Sequence, residues 1–159
     1  MKPRTAVGTV VFAERNGKIY ALSVQRANTR KWNGQVIFGA AEKPEGKEKA
    51  RETLFRGLKE ELLLPEGKVL GIKPIVSYKP ASDKENLGLT ARFYSVRVSF
   101  ETLQSIVQQI NQNPEKFYEL RNARINRIST LGKKPQIVQP HCRESLPRIK
   151  DHLRRRKSK

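Results

Sequence analysis

The feature that most constrains this chain is a change of period near its first third. Leu54, Leu58 and Leu62 recur at i, i+4 and i+8, with Ala50 one turn earlier, so the stretch from Lys49 onward reads as an amphipathic helix. Pro65 and Gly67 are expected to stop it. On both sides the pattern is that of strands. Ala6–Ala13 is rich in β-branched residues, Asn16-Gly17 is a two-residue hairpin signal, and Ile19–Val24 reads as the partner strand. Val36-Ile37-Phe38 is a short apolar run before Gly39, and Val69–Tyr78 and Leu89–Val98 suggest two more strands. Leu103, Ile106, Val107 and Ile110 fit a second helix that Ser99 caps. Leu146, Ile149 and Leu153 fit a third, and residues 115–140 carry no clear period. This order implies an α/β or α+β chain, with a mixed sheet covered by helices on both faces.

The chemistry-bearing residues cluster on the first helix and the loop before it. Arg56 and Glu60 are i, i+4 neighbours, and Glu61 follows directly. Two adjacent acids near a helix C-terminus oppose the helix dipole and repel each other. A hard cation such as Mg²⁺ removes that cost, since carboxylate oxygens are its preferred ligands. Arg56 is suited to hold one carboxylate in a charge-assisted pair. The loop, with Gly39, Pro44 and Gly46, can bend and offer backbone N–H groups to phosphate. Taken without that loop, the same residues fit an ordinary solvated helix face better than a metal site.

The segment Gly39 to Leu62 as a whole resembles the Nudix box, in which a Gly, a Glu and an Arg-Glu-apolar-any-Glu-Glu run stand at set spacings. Here Glu48 precedes Arg56 by the required seven intervening residues, Leu58 is the apolar position, and Glu60-Glu61 close the run. Eight residues rather than five separate Gly39 from Glu48. The resemblance implies a Nudix-type α/β/α sandwich over residues 1–153, with a basic tail, 154–159, expected to be disordered. It implies Mg²⁺ or Mn²⁺ as cofactor, with Glu60 and Glu61 as metal ligands. Glu61, Arg56 and Glu48 are the catalytic candidates, and Arg26, Arg30 and Gly39 the substrate-binding ones. The family's second acid, next to Arg56, is Gly57 here, and the family's later Gly is Leu63. Glycine inside a helix costs about 1 kcal/mol against alanine, so close packing or a neighbouring side chain is expected to use the vacant space. Glu48, Glu52 and Glu119 are the candidate replacement acids, Glu52 the poorest because it lies two turns from Glu60. Leu63 leaves the helix either a turn longer or ended differently at Pro65.

Charge sets the partner expectations. Lys plus Arg number 33 against 15 acids, for a net +18, of which residues 137–159 carry +6. Such a surface attracts nucleotide phosphates, RNA, DNA or anionic lipid; a basic surface that serves solubility is the plainer alternative. No apolar run approaches the ~20 residues of a membrane helix. A single cysteine, Cys142, excludes an internal disulfide and a cysteine-based zinc cage, and it fits a reducing, cytoplasmic setting. Trp32 and Phe38 fit the core better than a base-stacking role, and His141, His152 and Cys142 fit structural roles better than a Cys–His nucleophile. Two functions remain: a phosphoanhydride hydrolase acting on a nucleoside diphosphate derivative or an RNA 5′ end, and a module of the same fold that binds nucleotide or RNA without cleaving it.

Overall fold

In a computed structural model of the chain, residues 4–28, 34–78, 89–131 and 140–157 are described. Seven strands and three helices follow in the order β1 (Arg4–Arg15), β2 (Lys18–Arg26), β3 (Val36–Ile37), β4 (Ala41–Glu42), α1 (Ala50–Leu62), β5 (Gly71–Tyr78), β6 (Leu89–Arg97), α2 (Phe100–Gln112), β7 (Leu120–Arg127) and α3 (Pro140–Lys157). The strands make one mixed sheet of order β3-β2-β1-β6-β5, with β4 also paired to β1 and β7 to β2. β1 runs parallel to β6 and antiparallel to β2 and β4.

β1 explains the layering. Val7 through Ala13 are all buried, with no alternation. A run that is apolar on both faces of a strand must be covered on both faces. α1 and α2 both pack against β1, while α3 packs on β5 and β2. The hairpin is formed as expected: Asn16 and Gly17 both take positive φ, 53° and 73°, the backbone twist that a two-residue hairpin turn needs. Ser99 caps α2 by accepting the Thr102 N–H at 3.0 Å.

Three elements differ from the sequence expectation. α1 ends at Leu62, before Pro65, because Leu63 takes the left-handed conformation (φ 52°) and the Leu64 N–H donates to the Leu58 carbonyl at 3.1 Å. A leucine thus performs the helix-ending turn that glycine usually makes. β7 lies inside the stretch without a readable period. Its only fully buried residues are Leu120 and Ala123, and its pairing with β2 shifts register between Ser23 and Gln25, which breaks a two-residue alternation. α3 runs to Lys157, so the first four residues of the expected tail are helical. None of the described helices is long and apolar enough to cross a membrane.

One hydrogen-bond pair ties the loop before α1 to the sheet. The buried Thr9 hydroxyl accepts from the Ala40 N–H at 2.7 Å and donates to the Ala40 carbonyl at 3.0 Å, beside the ladder bond from the Thr9 N–H at 2.9 Å. Thr9→Val keeps the shape and leaves a buried N–H without a partner. It is expected to lower stability by about 1–3 kcal/mol, measured by urea unfolding.

Candidate functional site

The site is built where the segment 38–42 leaves the sheet and α1 begins. Val11 donates to Phe38 and Thr9 to Ala40, and the register then pairs Gly8 with Ala41 and Val7 with Glu42. Gly39 is required by this approach: a Cβ there would lie 2.6 Å from the Thr9 carbonyl oxygen. Phe38 is fully buried, in keeping with a core role. Next to this segment, Gly8, Thr9, Gly39, Ala91, Phe93 and Cys142 help line a cavity of about 30 Å³.

Arg56 is the centre of the polar arrangement. Its Nε donates to Glu48 Oε2 at 2.9 Å and its Nη2 to Glu48 Oε1 at 3.2 Å, a bidentate pair. Nη2 also donates to the Lys43 carbonyl at 2.8 Å. Nη1 faces three further carboxylates: Glu60 Oε2 at 3.3 Å, Glu42 Oε2 at 3.5 Å and Glu45 Oε1 at 3.5 Å. One guanidinium therefore binds the loop to the helix.

Glu48 is committed to this arrangement. Besides the two bonds from Arg56, its Oε1 accepts from the Glu45 N–H at 2.9 Å and from the Thr53 hydroxyl at 3.1 Å. Chiefly through the Arg56 hydrogen bond, its carboxyl is held down at about 2, well below the usual 4.5. The same pair raises the proton affinity of Arg56. A carboxylate so well provided with donors has little tendency to take a proton. Glu52 is used elsewhere, its Oε1 accepting the Lys49 N–H at the start of α1 at 3.4 Å. Glu119 stands just before β7, where its carbonyl receives the Ala27 N–H at 2.8 Å.

At the other end of α1 the expected metal ligands, Glu60 and Glu61, stand on the helix face that also carries Gly57, at i, i+3 and i+4. Glu60 is open to solvent, its side chain 57% exposed, and Glu61 is half-buried. The space beside Gly57 is filled. A Cβ there would meet Glu42 Cγ at 2.9 Å and Glu42 Cβ at 3.4 Å. None of the three candidate replacement acids occupies that space; Glu42, which the sequence did not single out, does. Its signal was not in the helix at all but in the strand register that brings β4 alongside α1. Among the described residues no group of three or more acidic, histidine or cysteine side chains is arranged to hold a metal ion; Glu42 and Glu60 are both paired with Arg56. Glu60 and Glu61 carry carboxylate oxygens of the kind a hard divalent cation prefers, and Glu42 occupies the space beside Gly57.

Of the substrate-binding candidates, Gly39 lies at the sheet end of this loop. Arg26 closes β2, half-buried, with a buried Nε that has no hydrogen-bond partner among the described residues. Arg30 and Trp32 lie outside the described residues. Cys142 is buried against the small cavity, and burial pushes its thiol up to about 12. It is therefore neutral and unreactive. His152 Nε2 lies 3.0 Å from the buried Ser95 hydroxyl, linking α3 to β6.

No family model and no curated protein matches the chain by sequence. Solved structures match it in fold. A mutT/nudix family protein from Listeria innocua is 15% identical, with a TM-score of 0.72 and 98% of each chain covered. An Ap4A hydrolase from C. elegans, solved as a binary complex, is 14% identical, with a TM-score of 0.60 over 94% of this chain and 97% of that one. NrtR from Shewanella oneidensis, solved with a 27mer DNA, is 15% identical, with a TM-score of 0.60 over 94% of this chain and 61% of that one. The fold is thus of the Nudix type, a mixed sheet between helices.

The Glu48–Arg56 pair generates a pH prediction. The folded-state pKa of Glu48 lies below its unfolded value, so its contribution is present above about 4.5 and is lost as pH falls toward about 2. Wild-type stability should therefore decline more steeply across that window than that of Glu48→Gln, as read from urea midpoints at a series of pH values.

Proposed function

We propose that the protein is a divalent-cation-dependent hydrolase that cleaves a phosphoanhydride bond in a nucleoside diphosphate derivative or at an RNA 5′ end. The observation that carries this reading is the Arg56 arrangement. It locks the Gly39–Glu48 loop to α1 through a bidentate pair with Glu48, and it leaves Glu60 and Glu61 at the solvent-facing end of the same helix. Support also comes from the Nudix-type fold and from a solved neighbour described as an Ap4A hydrolase.

Glu60 and Glu61 would hold Mg²⁺ or Mn²⁺, which when bound supplies charge neutralisation at the phosphate oxygens and a more acidic water. The chain's own residues do the rest. Arg56 orients Glu60 through Nη1. Glu48 fixes Arg56 and, with its low proton affinity, acts as a positioning residue rather than a base. Glu61, half-buried next to Glu60, is the group assigned to receive a proton from the attacking water. Gly39 and Arg26 are the described residues assigned to contact the substrate.

Glu60→Gln and Glu61→Gln should each lower kcat/KM by at least about a hundredfold, the scale on which loss of a metal-site group acts. The measurement is phosphate or pyrophosphate release from a panel of nucleotides and 5′-triphosphorylated RNA with Mg²⁺ or Mn²⁺. Wild-type turnover no greater than that of the two variants would remove the hydrolase reading.

A second reading rests on Gly57, which leaves the face of α1 at positions 57, 60 and 61 two acids where the family pattern has three, and on the net +18. Here the fold binds nucleotide or nucleic acid without cleaving it, and a neighbour solved with DNA keeps that reading in view. RNA affinity should then fall steeply with salt, as counterion release at several phosphates requires, while Glu60→Gln leaves it unchanged. An affinity that is flat from low to high salt rules it out.

A further inference from the structure

β7 is an edge strand, paired with β2 alone among the described strands, and it carries arginines at 121, 124 and 127. In a regular strand residues three apart point to opposite faces. Here the register shifts between Ser23 and Gln25, the extra residue lies on β7, and Asn122 takes the left-handed conformation, φ 50°. Arg124 then stands opposite Ser23 and Arg121 opposite Gln25. Ser23 and Gln25 share one face of β2, so the bulge brings Arg121 and Arg124 onto that face together. Arg127, opposite Tyr20, keeps to the other face. The offset is pinned from α2: Asn111 donates to the Ala123 carbonyl at 2.9 Å and accepts the Ala123 N–H at 2.8 Å.

The row is open and uncompensated. Arg121 and Arg124 are exposed, and among the described residues the ion pairs are made by Arg56, Arg97 and Arg155, not by these two. Amides stand beside them. Asn122 Nδ2 donates to Gln25 Oε1 at 2.6 Å and Asn126 Nδ2 to Ser23 Oγ at 2.7 Å, and neither Oδ1 receives a donor from the described residues. Two residues before the strand, Tyr118 is 64% exposed, its backbone held by Asn28 Nδ2, which donates to the Tyr118 carbonyl at 2.8 Å. Charge on an edge strand also discourages pairing with another chain. That purpose is met by arginines on either face and needs no open ring beside them.

We infer that the bulged face of β7 is a docking surface for single-stranded RNA, with Arg121 and Arg124 on successive phosphates and Tyr118 stacked on a base. Cations in a line with an exposed aromatic are what a single strand requires, since its phosphates run in a row and its base faces are free. A lipid surface presents charge in a plane and takes up apolar side chains, of which this face offers only the one ring. The open Asn122 and Asn126 oxygens are acceptors that a phosphate cannot use and a 2′-hydroxyl can. The inference rests on the nucleic-acid reading above and is independent of the hydrolase reading; it gives the bound strand a place on β7, apart from the Arg56 arrangement on α1.

The test is binding of a fluorescein-labelled oligouridylate to the full chain, followed by anisotropy over a salt series, with melting curves to confirm folding. Arg121→Gln and Arg124→Gln should each lower the slope of log K against log salt by about 0.7, equivalent to about a fivefold loss of affinity near 0.1 M salt. Tyr118→Ala should cost at least about fivefold, while Tyr118→Phe keeps the ring and the affinity. Arg127→Gln removes the same charge from the same strand but from the other face, and it should cost clearly less. The deoxyuridine oligomer of equal length should bind more weakly than the RNA. If Arg127→Gln weakens binding as much as the other two, net charge alone is at work; the inference fails and the nucleic-acid reading stands. Equal affinity for the deoxy oligomer, or arginine variants that lose binding to phosphatidylserine vesicles while keeping RNA, also overturns it. If wild type binds no RNA, the inference and the nucleic-acid reading fall together. Should one arginine variant fail to fold, the other and Tyr118→Ala decide.

Discussion

The bidentate contact between Arg56 and Glu48 is what the rest of the site depends on. A loop that contains Gly39, Pro44 and Gly46 has many conformations open to it, and ordering it costs about 1–2 kcal/mol per residue of backbone entropy. The guanidinium offsets that cost at several points together, through Glu48, the Lys43 carbonyl, Glu42 and Glu45. An isolated surface ion pair contributes little; bidentate geometry within a network, with Arg56 17% exposed and Glu48 19% exposed, is the case in which such pairs matter. Thr53, fully buried, joins the network by donating to Glu48, so the core of α1 and the loop share one polar anchor.

The anchor explains why acids gather locally in a chain that is basic throughout. Four carboxylates face one guanidinium around α1, against a background of +18. The surrounding positive field favours the approach of polyanions, whereas these four carboxylates are met by the Arg56 guanidinium.

Gly57 shows how the loss of one side chain in a family-like pattern is taken up by a neighbour from another element. On α1 alone its effect is a helix with fewer acids and about 1 kcal/mol less propensity. In the folded chain the missing side chain is what admits Glu42. The pairing of β1 with β4 sets that outcome, and an isolated α1 would not show it.

Much was legible beforehand because it is local. The Asn16-Gly17 hairpin, the leucine stripe of α1, the Ser99 cap and the seven-residue spacing from Glu48 to Arg56 depend on residues within a few turns of one another, and each is present as read. The end of α1 was not legible, since Leu63 adopts a conformation that its residue type disfavours. Nor was β7, whose register shift against β2 erases the alternation that marks a strand. The fate of the acids belonged to tertiary structure alone. By itself the chain's order of residues determined that Arg56 would stand near Glu48 and Glu60; only the folded sheet decided that Glu42 fills the place beside Gly57, because a contact between a strand and a helix is set by register and packing, and neither is written in the spacing of residues along one element.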